Sequence, residues 1–211
     1  MNNREIGFLF DLDGTLINSQ EAVMNSWVTM ATEAGIPLES LVGHHGLPAE
    51  QTIRKLLAGR DEAEIQRWIR RVTELEIADV DGIRVIPGAI ELLGELTTRQ
   101  IPWTIVTSCT TDLAIARTRS VNISLPENAV TFDQVSRGKP HPEPFIIGAE
   151  RIGIPAEFCW AVEDAPGGVI SAKEAGCTVA GVLTTHSRVE LAHADLHLDH
   201  LDELLVKAGL A

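Results

Sequence analysis

A chain of 211 residues with 45% hydrophobic residues and a formal net charge of −13 has the composition of an ordinary globular protein. The acidic charge repels nucleic acid and anionic lipid, and because no basic stripe offsets it we expect no nucleic-acid partner. No stretch approaches the ~20 apolar residues of a membrane span, no signal-peptide pattern is found, and the three cysteines show no C-x-x-C spacing, so we expect a cytoplasmic protein that does not associate with membranes.

The first part of the chain predicts one strand followed by helices. Residues 5–10 contain an apolar run typical of a buried strand. Apolar side chains at helical spacing, bounded by N-cap residues and by Gly35, predict the helices that follow. These helices span three ranges: about 20–34, 48–58 and 61–77. Because no strand interrupts them, we expect residues 17–85 to form an inserted all-helical cap domain.

The second part of the chain alternates helices with strands. Strands are predicted at 103–107, 129–132, 158–163, 178–183 and 196–198. Helices are predicted between the first two of these strands and at 88–99, 143–152, 166–175 and 201–208. Alternation of this kind indicates a parallel sheet covered on both faces, so we expect residues 1–16 and 86–211 to form one α/β core.

Polar side chains follow the predicted strands of this core. They are Asp11 and Asp13, Thr107 and Ser108, Lys139, and Glu163 and Asp164. Taken singly, each has an ordinary explanation as a solvated turn, a strand-end hydroxyl, a loop lysine or a helix N-cap. Ligand sites of open α/β sheets lie at the carboxyl ends of the strands, which is where these residues are predicted to meet.

Two familiar phosphate or metal motifs are excluded. An EF-hand loop counted from Asp11 requires glycine and glutamate where Leu16 and Ala22 stand. A Walker P-loop ending at Lys139 requires glycine at Asp133 and serine or threonine at Pro140. Neither motif therefore explains the polar strand ends.

The strand-end residues taken together indicate a cation site next to a phosphoryl site. Four carboxylates brought to one point oppose one another unless a cation relieves the repulsion. Mg²⁺ prefers oxygen ligands and combines carboxylates with phosphate oxygens, while a lysine and hydroxyl groups suit the remaining phosphoryl oxygens. We therefore expect Mg²⁺ as cofactor.

Four segments carry a resemblance to a known family. In chain order FDLDGTL, IVTSCT, GKPHPEPF and VEDAPGG resemble the four motifs of the haloacid dehalogenase superfamily. The pattern is most similar to its sugar-phosphate phosphatases and β-phosphoglucomutases. The resemblance implies a Rossmann-like core with a mobile helical cap, and a Mg²⁺-dependent phosphomonoesterase acting on small phosphorylated metabolites such as sugar or polyol phosphates. We expect a monomer or weak dimer.

The resemblance also implies the catalytic roles. Asp11 would be the nucleophile that forms an aspartyl-phosphate, and Asp13 would act as general acid and base toward the leaving alcohol and the attacking water. Thr107, Lys139 and the backbone N–H of Ser108 would hold the transferring phosphoryl group.

The same resemblance implies a metal-ligand set. Asp164 would bind Mg²⁺ together with Asp11 and the backbone carbonyl of Asp13, and Glu163 would act through a coordinated water. In the predicted cap loop, His44, His45 and Gly46 are candidates for contact with the substrate.

Other reactions of the family are distinguished by single residues. Dehalogenases and phosphonoacetaldehyde hydrolases lack an acid at the position of Asp13, and the latter use a cap lysine, for which Lys55 is the candidate. A sugar-phosphate mutase needs a group for a second phosphate, and the cap segment offers no arginine before Arg54. Hydrolysis is therefore favoured, with the mutase as alternative; a phosphorylated signalling switch is disfavoured by the length of the chain and by Asp13.

Two weaker features complete the pattern. Cys109 stands where relatives often have glycine. We expect it to be a small residue in a tight turn, with an oxidisable thiol facing the pocket as the alternative. Three histidines lie near the last predicted strand: His193, His197 and His200. The pattern around them predicts an ordinary edge strand, with a metal site as the alternative.

Overall fold

The structure is a computed structural model that describes residues 6–41 and 49–210. Its strands are β1 (Gly7–Phe10), β2 (Ile17–Asn18), β3 (Arg84–Val85), β4 (Trp103–Ile105), β5 (Cys159–Glu163), β6 (Thr178–Val182) and β7 (Leu196–Leu198). Its α-helices are α1 (Gln20–Ala34), α2 (Ala49–Leu56), α3 (Glu62–Ala78), α4 (Ala89–Thr98), α5 (Thr111–Ser120), α6 (Glu143–Ile152), α7 (Pro166–Glu174) and α8 (Glu203–Lys207). Short 3₁₀ helices span Leu38–Leu41, Phe132–Gln134 and Ala156–Phe158.

The main sheet has the strand order β4-β1-β5-β6-β7, and all its pairings are parallel. Strand β1 lies between β4 and β5, with Phe8 opposite Trp103 on one side and Trp160 on the other. Parallel pairing aligns the carboxyl ends of all these strands at one edge. The predicted α/β fold class is confirmed, and β7 is the edge strand that the sequence indicated.

Burial of the central strand explains why its sequence is apolar without alternation. Phe8, Leu9 and Phe10 have no exposed surface. Leu9 belongs to a buried cluster that includes Phe145 of α6 and Val169 of α7. A parallel strand covered on both faces favours such a continuous apolar run, and it holds the residue that follows in a fixed position.

The strand predicted at 129–132 is wrong. Only Val130 pairs there, in a single parallel bridge with Val106. Val130 donates its N–H to Ile105 (2.8 Å) and accepts one from Thr107 (2.9 Å), after which the chain enters the 3₁₀ helix at Phe132–Gln134. The apolar segment is too short before this turn to form a strand.

The chain divides into two compact units. Residues 1–18 and 84–211 make up one, which contains the sheet, and residues 19–83 make up the other. These divisions lie two residues from the predicted boundaries, because β2 and β3 pair with each other in an antiparallel ribbon and stay with the sheet-containing unit.

The helical unit, residues 19–83, has its own apolar core. It contains side chains from each of its helices, with Met30 from α1, Ile53 from α2 and Val72 from α3 fully buried. Across the described ranges, no helix combines the length and apolar character needed to cross a membrane.

Candidate active site

Asp11 occupies a buried position immediately after β1. Its backbone N–H donates to Val162 of β5 (2.9 Å), so the parallel ladder continues one residue past the strand and fixes the Asp11 backbone. Its side chain is directed toward Lys139, whose Nζ lies 2.6 Å from Asp11 Oδ1. The carboxylate is therefore held at the carboxyl edge of the sheet.

Lys139 connects three elements of this edge. Its ammonium donates to Asp11 Oδ1 (2.6 Å), to Glu163 Oε1 (2.6 Å) and to the carbonyl oxygen of Val106 (2.8 Å). Burial by itself would lower the pKa of Lys139, but the charges of Asp11 and Glu163 outweigh it and raise that pKa. The lysine is consequently charged and fixed in direction.

Three buried carboxylates converge beside this lysine. Asp11, Glu163 and Asp164 each bring one carboxylate oxygen within 4.8 Å of the others. Burial, although opposed by Lys139, raises the pKa of Asp11 well above its usual range, and burial together with the charge of Glu163 raises that of Asp164 to about 7. One lysine does not compensate three carboxylates, and the donors are all hard oxygens, so this cluster fits a divalent cation such as Mg²⁺.

Two glycines make room for these carboxylates. Gly14 has φ +89°, and a Cβ there would overlap the Asp164 carboxylate. A Cβ on Gly168, in α7, would overlap the Glu163 carboxylate. Gly14 of FDLDGTL and Gly168, the second glycine of VEDAPGG, are therefore required because acidic side chains pack directly on their backbone.

Asp164 is further fixed by hydroxyl groups that the sequence analysis did not identify. Thr15 Oγ1 donates to Asp164 Oδ1 (3.3 Å), and Thr185 Oγ1 donates to Asp164 Oδ2. Thr184 Oγ1 donates to the carbonyl oxygen of Gly14. The signal was present in the sequence, since Thr184 and Thr185 closely follow β6 at the same edge of the sheet.

Asp13 lies in a different environment from Asp11. Its Oδ2 accepts from Arg117 Nη1 (2.8 Å) and from Cys109 Sγ (2.9 Å). The backbone N–H of Cys109 in turn donates to Thr107 Oγ1 (3.1 Å). The structure thus connects Asp13 to the second motif, and Arg117, in α5, is a site residue that sequence reasoning missed.

Cys109 faces this site as a neutral thiol. Burial, followed by the nearby charge of Asp13, raises the pKa of its thiol well above the usual range. Because the thiolate is the reactive form of cysteine, this environment disfavours the oxidation that the sequence left open.

The remaining predicted residues are less closely tied to the cluster. Ser108 is exposed beside the buried Thr107. His44, His45 and Gly46 lie outside the described residues. Lys55 is exposed on α2 within the helical unit.

The histidine region near β7 shows no metal cluster in the part of the chain that the structure describes. His197 Nε2 contacts the carbonyl oxygen of Leu191 (3.0 Å). The neighbouring Asp195 is engaged by Lys173 Nζ and by the backbone N–H of Val179, both at 2.7 Å. These contacts are those of an ordinary sheet edge.

Comparison with known proteins agrees with this geometry. Residues 8–182 match the model of the haloacid dehalogenase-like hydrolases. The chain is 41% identical over 201 residues to hexitol phosphatase A of Escherichia coli, covering 95% of this chain and 93% of that protein. It is 32% identical to validoxylamine A 7'-phosphate phosphatase of Streptomyces hygroscopicus, covering 93% and 94%.

A solved structure has a similar fold. A hydrolase from Pseudomonas syringae superposes with a TM-score of 0.85 at 27% identity, covering 98% of this chain and 99% of that one. The two relatives by sequence are phosphatases, which confirms the enzyme class predicted from the four motifs. The match to the family model spans both compact units, and with the relatives it shows that this chain belongs to the haloacid dehalogenase-like hydrolase family.

Proposed function

We propose that this chain is a Mg²⁺-dependent phosphatase of small sugar or polyol phosphates that works through an aspartyl-phosphate on Asp11. The observation that carries the proposal is the position of Asp11, buried at a strand end between a lysine and two further carboxylates. The phosphatases of hexitol and validoxylamine phosphates named above support the polyol substrate class.

The first chemical step transfers the phosphoryl group to the enzyme. An Asp11 carboxylate oxygen attacks phosphorus and forms an acyl-phosphate bond while the ester P–O bond breaks. The leaving oxygen takes a proton from Asp13 and departs as the free alcohol. The backbone hydrogen bond of Asp11 to β5 holds the nucleophile against the sheet during the attack.

The second step returns the enzyme to its starting state. Asp13, now ionised, takes a proton from a water molecule that attacks phosphorus. The bond from phosphorus to Asp11 breaks, and inorganic phosphate leaves. Because one carboxylate gives and then receives a proton, Asp13 needs a fixed position and some contact with solvent, in keeping with its partly exposed side chain.

The phosphoryl oxygens are held by groups from the end of β4 and from the turn before α6. Lys139 supplies a buried positive charge beside Asp11, while Thr107 and the backbone N–H of Ser108 stand at the end of β4. Phosphoryl transfer depends mainly on positioning and on charge compensation, which these groups supply.

Mg²⁺ would be held by Asp11, Asp164 and the backbone carbonyl of Asp13. When bound, it would neutralise charge on the carboxylates and on the phosphoryl oxygens. Glu163 fits an indirect role, since Oε1 accepts from Lys139 and Oε2 accepts from the backbone N–H groups of Asp164 (3.1 Å) and Ala165 (3.2 Å). It therefore aligns the lysine and the metal-binding turn.

The helical unit, residues 19–83, is proposed as the cap that selects the organic group, with His44, His45 and Gly46 as substrate contacts. Arg54, the first arginine after these residues, hydrogen-bonds Glu50 (2.9 Å) and both oxygens of Glu62 (2.9 and 2.8 Å). Its charge is already compensated, which disfavours capture of a second phosphate and supports hydrolysis over the mutase reaction.

Phosphate release from a panel of hexitol, cyclitol and glycerol phosphates tests the proposal. The wild-type protein should release phosphate with Mg²⁺ and lose that activity with EDTA, and Asp11→Asn should be inactive. Phosphate release at the wild-type rate by Asp11→Asn would sink the nucleophile assignment. Interconversion of sugar phosphates without phosphate release would favour the mutase.

A further inference from the structure

Asp13 is held by a side chain to which the mechanism above assigns no role. Arg117 Nη1 lies 2.8 Å from Asp13 Oδ2, and the arginine side chain is 6% exposed whereas that of Asp13 is 24% exposed. The buried guanidinium is already held in one direction by packing. The arginine side chain therefore loses little conformational freedom when it pairs with the partly exposed carboxylate. The geometry therefore constrains Asp13 more strongly than a surface ion pair would.

Cys109 completes a closed arrangement around the same carboxylate oxygen. Its Sγ lies 2.9 Å from Asp13 Oδ2 and 3.2 Å from Arg117 Nη1. Its backbone N–H donates to Thr107 Oγ1, which ties the arrangement to the end of β4. Two donors from separate segments thus meet on one oxygen of Asp13.

We propose that Arg117 is a positioning residue that fixes the Asp13 carboxylate for proton transfer, with Cys109 as the second support. The inference rests on the proposed function, in which Asp13 gives a proton to the leaving alcohol and takes one from water. Small displacements of a group that transfers protons cost rate because the transfer needs hydrogen-bond distance in the transition state. Arg117 acts through Asp13 and needs no contact with the substrate.

The test compares Arg117→Met with Arg119→Met. Arg119 lies in the same helix, two residues further on, and its side chain is exposed, so it controls for loss of a positive charge from α5. Two substrates are used, a hexitol phosphate and p-nitrophenyl phosphate. Nitrophenolate leaves without help from an acid, whereas an alkoxide needs the proton, so only the hexitol phosphate requires Asp13 in the first step.

With the hexitol phosphate, Arg117→Met should lower kcat about 10- to 100-fold and change KM less than about 3-fold. The expected loss of kcat is only a part of the rate enhancement of about 10²- to 10⁴-fold that general acid–base catalysis contributes. With p-nitrophenyl phosphate, rapid mixing should show a burst of about one nitrophenolate per active site, followed by slow turnover. The burst arises because the first step stays fast while hydrolysis of the aspartyl-phosphate still needs Asp13. Arg119→Met should behave as the wild type.

A double-mutant cycle separates positioning from general damage. In an Asp13→Asn background, Arg117→Met should lower the remaining activity less than about 2-fold, because its partner is already altered. Arg117→Lys, which keeps the charge but loses the planar fork, should recover part of the lost kcat. If Arg117→Met does not fold, Arg117→Gln replaces it in the same measurements.

Several results would overturn the inference. One is a kcat of Arg117→Met equal to that of the wild type with the hexitol phosphate. Another is the absence of a nitrophenolate burst in Arg117→Met although its melting temperature is unchanged. The third is a loss of activity from Arg117→Met in the Asp13→Asn background that is as large as its loss in the wild-type background. A wild-type enzyme that hydrolyses neither substrate would overturn the proposed function instead, so the two failures are distinguishable.

Discussion

The core unit and the helical unit each place a cation between two carboxylates, in very different surroundings. Lys139 lies 2.6 Å from both Asp11 and Glu163, with side chains 8%, 10% and 2% exposed. In the helical unit Arg54 lies 2.9 Å from Glu50 and 2.8 Å from Glu62, with side chains 40%, 45% and 61% exposed. The distances are similar, so burial is the variable that separates the two arrangements.

The carboxyl groups respond in opposite directions. Hydrogen bonds from Arg54 and then Gln66 lower the pKa of Glu62 to about 2. Burial raises the pKa of Asp11 and Asp164 in spite of the nearby lysine. An exposed ion pair keeps its hydration, whereas burying more carboxylates than cations lowers the stability of the folded protein. Such an unfavourable arrangement is typical of functional sites.

The largest effect is expected from Lys139→Met. The substitution leaves Asp11 and Glu163 buried without the charge that both contact, and breaking a buried pair in this way costs about 3–5 kcal/mol. Urea unfolding in EDTA measures the loss. Phosphatase activity should disappear as well, because the phosphoryl group loses its cation. A change below about 1 kcal/mol would contradict the view that burial decides.

The pH dependence of stability is the second test. The pKa of Asp164 is raised from the ordinary value of 3.8 to about 7, so between these values the folded protein binds more protons than the unfolded chain. In EDTA the free energy of unfolding should therefore fall as pH rises from about 4 to 7, by at most about 1.4 kcal/mol per pH unit for this one group. Asp164→Asn should flatten that slope.

Added Mg²⁺ should reverse the trend over the same pH range. The ion binds the deprotonated carboxylates of the folded protein, so the stabilisation that it provides should grow with pH. Glu62→Gln is the matched control, because Glu62 pairs with Arg54 in the helical unit and its substitution leaves the cluster of Asp11, Glu163 and Asp164 intact, so this variant should keep the wild-type response to Mg²⁺. A Mg²⁺ effect that is equal at pH 5 and pH 7.5 would contradict the assignment.

The strand-end residues were predictable because parallel strands bring their carboxyl ends to one edge. Asp11, Glu163 and Asp164 lie together for that reason, although a long stretch of chain separates Asp11 from the other two. Lys139, which the sequence analysis placed after a strand, reaches the same edge from the turn before α6. Helix bounds were predicted within about two residues where caps and stop residues mark them, as for α1, which ends at Ala34 and is capped by Gly35 in the left-handed conformation.

Contacts set by helix rotation were not predictable in the same way. Arg117 is a basic residue in the last turn of α5, and such residues commonly interact with the helix dipole or with solvent. Nothing in the sequence indicates that its face of α5 is directed toward Asp13. The wrong strand at 129–132 has a related cause, because the length of a pairing depends on where the neighbouring strand ends, and β4 ends at Ile105.

A smaller effect is expected at the start of α3. Asp61 Oδ1 accepts the backbone N–H of Glu64 (2.9 Å), the hydrogen bond of a helix N-cap. Asp61→Ala should lower the free energy of unfolding by about 1 kcal/mol, and Asp61→Ser should restore most of it. Thermal or urea unfolding followed by circular dichroism measures both. Equal losses in the two variants would mean that the cap hydrogen bond contributes nothing.

The smallest effect is expected from Arg54→Met, the counterpart of Lys139→Met in the helical unit. Its two ion pairs are exposed, so their removal should lower the free energy of unfolding far less than Lys139→Met does, and high salt should shrink the difference because it screens exposed charges. Since the guanidinium is already engaged by Glu50 and Glu62, kcat and KM for monophosphates should stay within about 2-fold of the wild type. A large rise in KM would show that Arg54 leaves its partners to bind substrate, and it would reopen the mutase reaction. A loss of stability as large as that of Lys139→Met would instead show that the distance between charges, rather than their burial, sets the strength of both arrangements.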